Sequence, residues 1–180
     1  MLIANINGVN IHYKDEGKSR APVIAFANSL GSDLRLWDKV VDQLKNDFRI
    51  IRYDKRGHGL SDTGYEKCTI KMLADDLAAL LNYLKVDQAI ICGISVGGMI
   101  AQSIAVCHPE LVKGLVLCDT GVKIGNDEFW NERISAINEN GILAFSDAIL
   151  DRWFSNQFKA DRAIEMEGWR NMLSRIPKAG

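Results

Sequence analysis

The chain reads as an α/β protein with a mostly parallel sheet covered by helices on both faces. Three observations predict it: short apolar runs, apolar stripes at helical spacing between those runs, and a change of texture after Gly121. Residues 10–13 and 22–27 have strand character, and the second holds Val23-Ile24-Ala25-Phe26, an apolar run of the kind found in sheets buried on both faces. Leu36, Trp37, Val40, Val41 and Leu44 follow at helical spacing after Asp33, a good N-cap residue, and residues 49–53 return to strand character. Ile70, Leu73, Leu77, Leu80, Leu81 and Leu84 then mark one stripe of a second helix. Residues 89–92 form the next strand, a turn surrounds Ser95, a helix covers 96–107, and a further strand covers 114–118. Strands separated by helices of this length imply parallel pairing through right-handed crossovers.

Beyond Gly121 no buried strand run follows. The apolar residues of 129–137, 142–154 and 163–176 suit short amphipathic helices, which together read as a helical lid. Gly121, Gly125, Asn126 and Asp127 supply turn chemistry, so the division expected is a core over residues 1–121 and a lid over residues 122–180.

Composition narrows the function classes. With 47% hydrophobic and 25% charged residues the chain is proportioned as an ordinary globular protein. Lys plus Arg is 22 and Asp plus Glu is 23, so a net charge of −1 leaves no field to gather nucleic acid or an anionic membrane, and a small-molecule partner is expected. The amino terminus lacks the basic and apolar regions of a secretory signal, and no segment approaches the roughly 18 apolar residues of a membrane span, so a cytoplasmic location is expected. Cys68, Cys92, Cys107 and Cys118 form no Cys-x-x-Cys pair and are read as reduced thiols. His12, His58 and His108 stand far apart without ligand-like spacing, so neither a metal nor another cofactor is implied.

Chemistry concentrates at Gly93-Ile94-Ser95-Val96-Gly97, which follows a buried strand and opens a helix. In that context the pattern is a nucleophile elbow, the strained turn that carries the serine of the α/β-hydrolase fold, and Gly93, Gly97 and Gly98 allow the close approach it requires. The plainer reading is a Gly-rich turn that packs tightly or holds a phosphate at a helix amino end. Asn28-Ser29-Leu30-Gly31 ends the strand 22–27, where this fold places a loop donating a backbone N–H to the reacting carbonyl oxygen. Leu30 and Val96 are therefore the candidate oxyanion donors. Within Arg56-Gly57-His58-Gly59-Leu60-Ser61 the histidine precedes the serine, whereas the fold delivers serine, acid and histidine in that order, so His58 is read as a loop-ordering residue. His12 belongs to an early strand and His108, before Pro109, ends the elbow helix. Asp119, after the strand 114–118, is open to two readings: a triad acid, or an Asp that turns the chain toward the lid.

These residues resemble the 3-oxoadipate enol-lactonases, α/β-hydrolase enzymes that open an enol-lactone in aromatic catabolism. The resemblance rests on Asn28-Ser29-Leu30-Gly31 with Asp33, Arg35 and Trp37, on Arg56-Gly57-His58-Gly59, on Gly93 to Gly98, and on Leu117-Cys118-Asp119-Thr120 with Lys123-Ile124-Gly125. In the lid segment Trp130, Arg133-Ile134 and Asp151-Arg152-Trp153-Phe154 are similar too. It implies Ser95 as nucleophile, the Leu30 and Val96 amides as oxyanion donors, and Arg133 and Trp153 as pocket-lining residues for a small lactone or ester. Such enzymes continue through two more strands whose following loops carry the acid and the histidine, so residues 1–180 alone are expected to be inert. The readings left open are a general carboxylesterase, a carbon–carbon bond hydrolase of the same superfamily, and a catalytically incomplete fragment.

Overall fold

The computed structural model describes residues 1–64 and 67–177, so residues 178–180 of the expected lid segment lie outside the described residues. The chain forms two compact units, Met1–Ile124 and Gly125–Gly180.

The first unit is built on a six-stranded sheet. In chain order its strands are β1 (Leu2–Ile6), β2 (Val9–Gly17), β3 (Val23–Ala27), β4 (Arg49–Tyr53), β5 (Ala89–Ile94) and β6 (Val112–Cys118), and across the sheet they run β1-β2-β4-β3-β5-β6. Pairs β3–β4, β3–β5 and β5–β6 are parallel, while β1–β2 and β2–β4 are antiparallel. The sequence reading had no β1. Only Ala4 and Ile6 of that strand are buried, too few to make an apolar run, and the local signal was instead Asn7-Gly8, which turns the hairpin with φ of 48° and 79°.

Three helices cover this sheet: α1 (Asp38–Leu44), α2 (Ile70–Tyr83) and α3 (Val96–Cys107). Side chains alternate between the two faces of the central strands, as the pleat demands. Ala25, Ala27, Ile51 and Ile91 meet Leu77, Leu80 and Leu81 of α2 and Ile100, Ala101 and Ile104 of α3. Their neighbours Ile24, Phe26, Ile50 and Cys92 pack on the opposite face with Trp37 and Val41. Each large apolar side chain sequestered in this way contributes about 1.5–3 kcal/mol. Asp33 does cap, but the element it caps is a 3₁₀ turn at Leu34–Trp37, where its carboxylate accepts the Arg35 N–H at 3.0 Å; α1 follows from that turn.

The second unit contains α4 (Asp127–Asn140), α5 (Ser146–Trp153), α6 (Asn156–Asp161) and α7 (Ala163–Ser174), with a 3₁₀ turn at Ile142–Phe145 before α5. Helix α6 was not expected. Ser155 starts it by accepting the Phe158 N–H at 3.2 Å, a cap that separates α6 from α5. Ile149, Leu150, Met166, Met172 and Leu173 are buried in this unit, and the Phe154 ring stacks on Phe158 at 4.8 Å between centroids. Among the described residues no helix is long and apolar enough to cross a membrane.

Candidate active site

Ser95 occupies the single position between the end of β5 and the start of α3, with φ 55° and ψ −122°. A positive φ of this kind costs a non-glycine residue about 1–3 kcal/mol, and the surrounding contacts show what enforces it. The Ser95 N–H donates to the Cys118 carbonyl of β6 at 3.1 Å. The Ser95 carbonyl accepts from the Thr120 hydroxyl at 2.6 Å and from the amides of Gly98 and Met99 at 2.9 and 3.2 Å. Three glycines make room for the turn. A Cβ on Gly93 would run into the Gly97 carbonyl, one on Gly97 into the Ala27 carbonyl, and one on Gly98 into the Thr120 side chain. The amino end of α3 is thereby brought against the end of β3, with Ser95 half-buried at the carboxyl edge of the sheet.

The loop that follows β3 is held from several directions. Asn28, 1% exposed, accepts the Trp37 indole N–H at 2.8 Å and donates to the Tyr53 carbonyl at 2.9 Å. Gly31, at φ 80°, donates its N–H to His58 Nε2 at 3.0 Å. The Ser29 carbonyl accepts from Lys55 Nζ at 2.6 Å, from the Ser32 hydroxyl at 3.0 Å and from the Ser32 amide at 3.3 Å. Among the described residues the N–H groups of Leu30 and Val96 donate to no protein acceptor. Val96 follows Ser95 directly, and Leu30 lies in the loop after β3, the strand whose end the elbow helix meets.

Beneath this loop lies a cluster of buried charge. Lys55, 2% exposed, is pushed down to about 7 by burial, with Asp54 and Asp33 pulling it back upward. His58 is lowered to about 3, by burial first and by the Lys55 charge second. Because Nε2 accepts from Gly31, the ring proton resides on Nδ1, which donates to the Arg56 carbonyl at 3.2 Å. Asp54 accepts the Leu34 and Leu60 amides at 2.8 and 2.9 Å and contacts His12 Nδ1 at 2.7 Å. Arg56 grips Asp76 of α2 through two bonds of 2.7 and 2.8 Å. His108 pairs with Asp75 at 2.9 Å. All three histidines are thus engaged away from the serine, and among the described residues no hydrogen bond joins any of them to Ser95. His58 orders its loop, as its place before the serine suggested.

Asp119 is exposed, at φ 45° directly after β6. Arg133 and Trp153 belong to the second unit, on α4 and α5. There the Arg133 guanidinium lies 5.7 Å from the centre of the Trp130 ring, and burial together with the Arg152 charge lowers its pKa. Among the described residues no group of His, Cys, Asp and Glu side chains could hold a metal ion. The sequence reading missed Lys55 and Thr120. Lys55 stands in a run of charges that resembles a solvated turn, and nothing in the sequence around Thr120 indicates a hydroxyl directed at the Ser95 carbonyl.

Comparison with known proteins places these features in context. Residues 22–140 match the family described as alpha/beta hydrolase fold. Over 153 residues the chain is 34% identical to 3-oxoadipate enol-lactonase 2 of Acinetobacter baylyi, covering 85% of this chain and 57% of that protein. Its companion, 3-oxoadipate enol-lactonase 1 of the same organism, is 34% identical over 158 residues, 88% of this chain and 59% of that one. Among solved structures, the enol-lactonase from Burkholderia xenovorans superposes with a TM-score of 0.94 at 34% identity, over 99% of this chain and 69% of that one. The chain therefore spans somewhat over half the length of the curated relatives it matches.

Proposed function

The chain belongs to the α/β-hydrolase-fold family, and from that premise we propose that it carries the nucleophile and oxyanion hole of a lactone hydrolase acting on 3-oxoadipate enol-lactone. The observation that supports this reading most is Ser95 itself, a non-glycine residue held at φ 55° between a buried strand and a helix. Ser95 Oγ attacks the lactone carbonyl carbon while a base takes its proton. The resulting oxyanion is received by the N–H groups of Leu30 and Val96, and each donor of this type is worth about 3 kcal/mol of barrier. The ring C–O bond breaks, the enol oxygen leaves with a proton and tautomerises to the ketone, and water then releases the acyl group as a carboxylate. His12, His58 and His108 are committed to Asp54, Gly31 and Asp75, so none of the three is the base in this reading.

The choice of substrate has its own support. The relatives named above are enol-lactonases, and the product of such a reaction is a dicarboxylic acid, so the substrate keeps a free carboxylate away from the bond that breaks. Arg133 is a partly buried cation of α4 whose pKa is lowered by burial first and by the Arg152 charge second, and a cation so placed favours an anionic partner. Arg133 and Trp153 are the substrate-binding residues of this reading. A net charge of −1 is in keeping with a small-molecule enzyme of the cytoplasm.

The test is kinetic. In the full-length protein Ser95→Ala is expected to abolish enol-lactone hydrolysis with the circular dichroism spectrum unchanged, because only a hydroxyl is removed. Arg133→Ala is expected to raise KM for the carboxylate-bearing lactone and leave KM for a neutral aryl ester as it was. Turnover by Ser95→Ala at the wild-type rate would remove the nucleophile assignment, and an unchanged lactone KM in Arg133→Ala would remove the pocket assignment.

A further inference from the structure

We propose that Lys55 and Thr120 are positioning residues that polarise, from behind, the two peptide groups whose N–H bonds form the oxyanion hole. This rests on the reading of Ser95, Leu30 and Val96 given above. A peptide N–H belongs to the same planar, conjugated unit as the preceding residue's carbonyl, so a donor placed on that carbonyl draws electron density through the unit and makes the N–H a stronger donor. The N–H of Leu30 shares its unit with the Ser29 carbonyl, and the N–H of Val96 shares its unit with the Ser95 carbonyl.

Both carbonyls are loaded in the same manner. Each takes one short side-chain bond of 2.6 Å, from Lys55 Nζ on Ser29 and from the Thr120 hydroxyl on Ser95. Each also takes two longer ones: the Ser32 hydroxyl and amide at 3.0 and 3.3 Å on Ser29, and the Gly98 and Met99 amides at 2.9 and 3.2 Å on Ser95. Three donors saturate an oxygen that has two lone pairs, and among the described residues the N–H at the other end of each unit meets no protein acceptor. Lys55 is buried, with Nζ also 3.5 Å from the Ser32 carbonyl, and a loop needing only a tether would not require burial of an amine. Thr120 is fixed just as tightly, because its side chain fills the space that a Cβ on Gly98 would take. The two residues come from the loops after β4 and β6 and converge on one function from opposite sides of the elbow.

The experiment compares Thr120→Val, Thr120→Ser, Lys55→Met and Ser95→Ala in the full-length protein, using enol-lactone hydrolysis and the amide proton chemical shifts of Leu30 and Val96. Thr120→Val keeps the shape and loses the donor, and kcat is expected to fall about three- to fivefold with KM unchanged, since a polarising partner modulates a donor rather than supplying one. Thr120→Ser restores kcat. Lys55→Met is expected to lower kcat about three- to fivefold as well, since it removes the 2.6 Å donor on the Ser29 carbonyl. The Val96 proton moves upfield in Thr120→Val, and the Leu30 proton does so in Lys55→Met. Wild-type kcat in Thr120→Val, in an enzyme that Ser95→Ala silences, would overturn the inference and leave the nucleophile assignment standing, and so would unmoved amide protons in both variants. Turnover by Ser95→Ala would instead overturn the reading beneath it.

Discussion

Asp54, Lys55 and Arg56 are consecutive, charged and almost wholly buried, at 2%, 2% and 7% exposure. Nothing in the sequence marks this burial, because their partners lie far along the chain: Leu34 and His12 for Asp54, Ser29 for Lys55, Asp76 for Arg56. Long-range pairing of this kind leaves no periodic trace, whereas the strain at Ser95 was legible because small residues surround it within a few positions. His58 shows what the buried cluster does at the scale of one proton. Its Nε2 accepts the Gly31 N–H, and burial first and the Lys55 charge second lower its pKa from an ordinary 6.5 to about 3. The unfolded chain therefore takes up a proton below 6.5 that the folded protein refuses until about 3, so this residue's contribution to stability is complete above 6.5 and is lost as pH falls through that window. His58→Gln, whose amide oxygen can still accept from Gly31, is expected to lose less stability than wild type between pH 7 and pH 4 in urea titrations. An equal or steeper loss in the variant would show that His58 is not the group responsible.

Helix α3 and strand β5 carry the site because they meet without side chains between them. Gly97 lies where a Cβ would strike the Ala27 carbonyl, and backbone does not move aside cheaply, so Gly97→Ala is expected to cost about 1–3 kcal/mol and to displace the Leu30 loop. Gly168 provides the opposite case. It sits inside α7 with nothing among the described residues within 4 Å of an added Cβ, so Gly168→Ala is expected to stabilise by about 0.5–1 kcal/mol. Urea denaturation of the two variants checks the pair, and similar effects from both would contradict the packing argument. The central strands and helices were legible because their apolar periods are unbroken, as in Leu73, Leu77, Leu80 and Leu81 of α2. Strand β1 and helix α6 were not: one has two buried residues and depends on its hairpin turn, and the other is a six-residue helix begun by Ser155.

At the scale of the molecule, the first unit carries Ser95, Leu30 and Val96, and the second carries Arg133 and Trp153. The α/β order of the first unit and the chain's TM-score of 0.94 to an enol-lactonase agree with what the alternation of strand and helix implied. Strand β6 is outermost in the sheet, and its Leu115, Val116 and Leu117 are 38%, 46% and 45% exposed, an apolar stretch that a sheet normally covers. The apolar run marked this strand in the sequence, although an edge strand and a central strand can share the same run. The central claim is that Ser95 is an activated nucleophile in the whole protein. It is tested most directly by treating the full-length protein with a fluorophosphonate and mapping the adduct by peptide mass spectrometry. Stoichiometric phosphonylation of Ser95, with lactone hydrolysis lost in proportion, is the expected result; an enzyme that hydrolyses the lactone while Ser95 stays unmodified would contradict it.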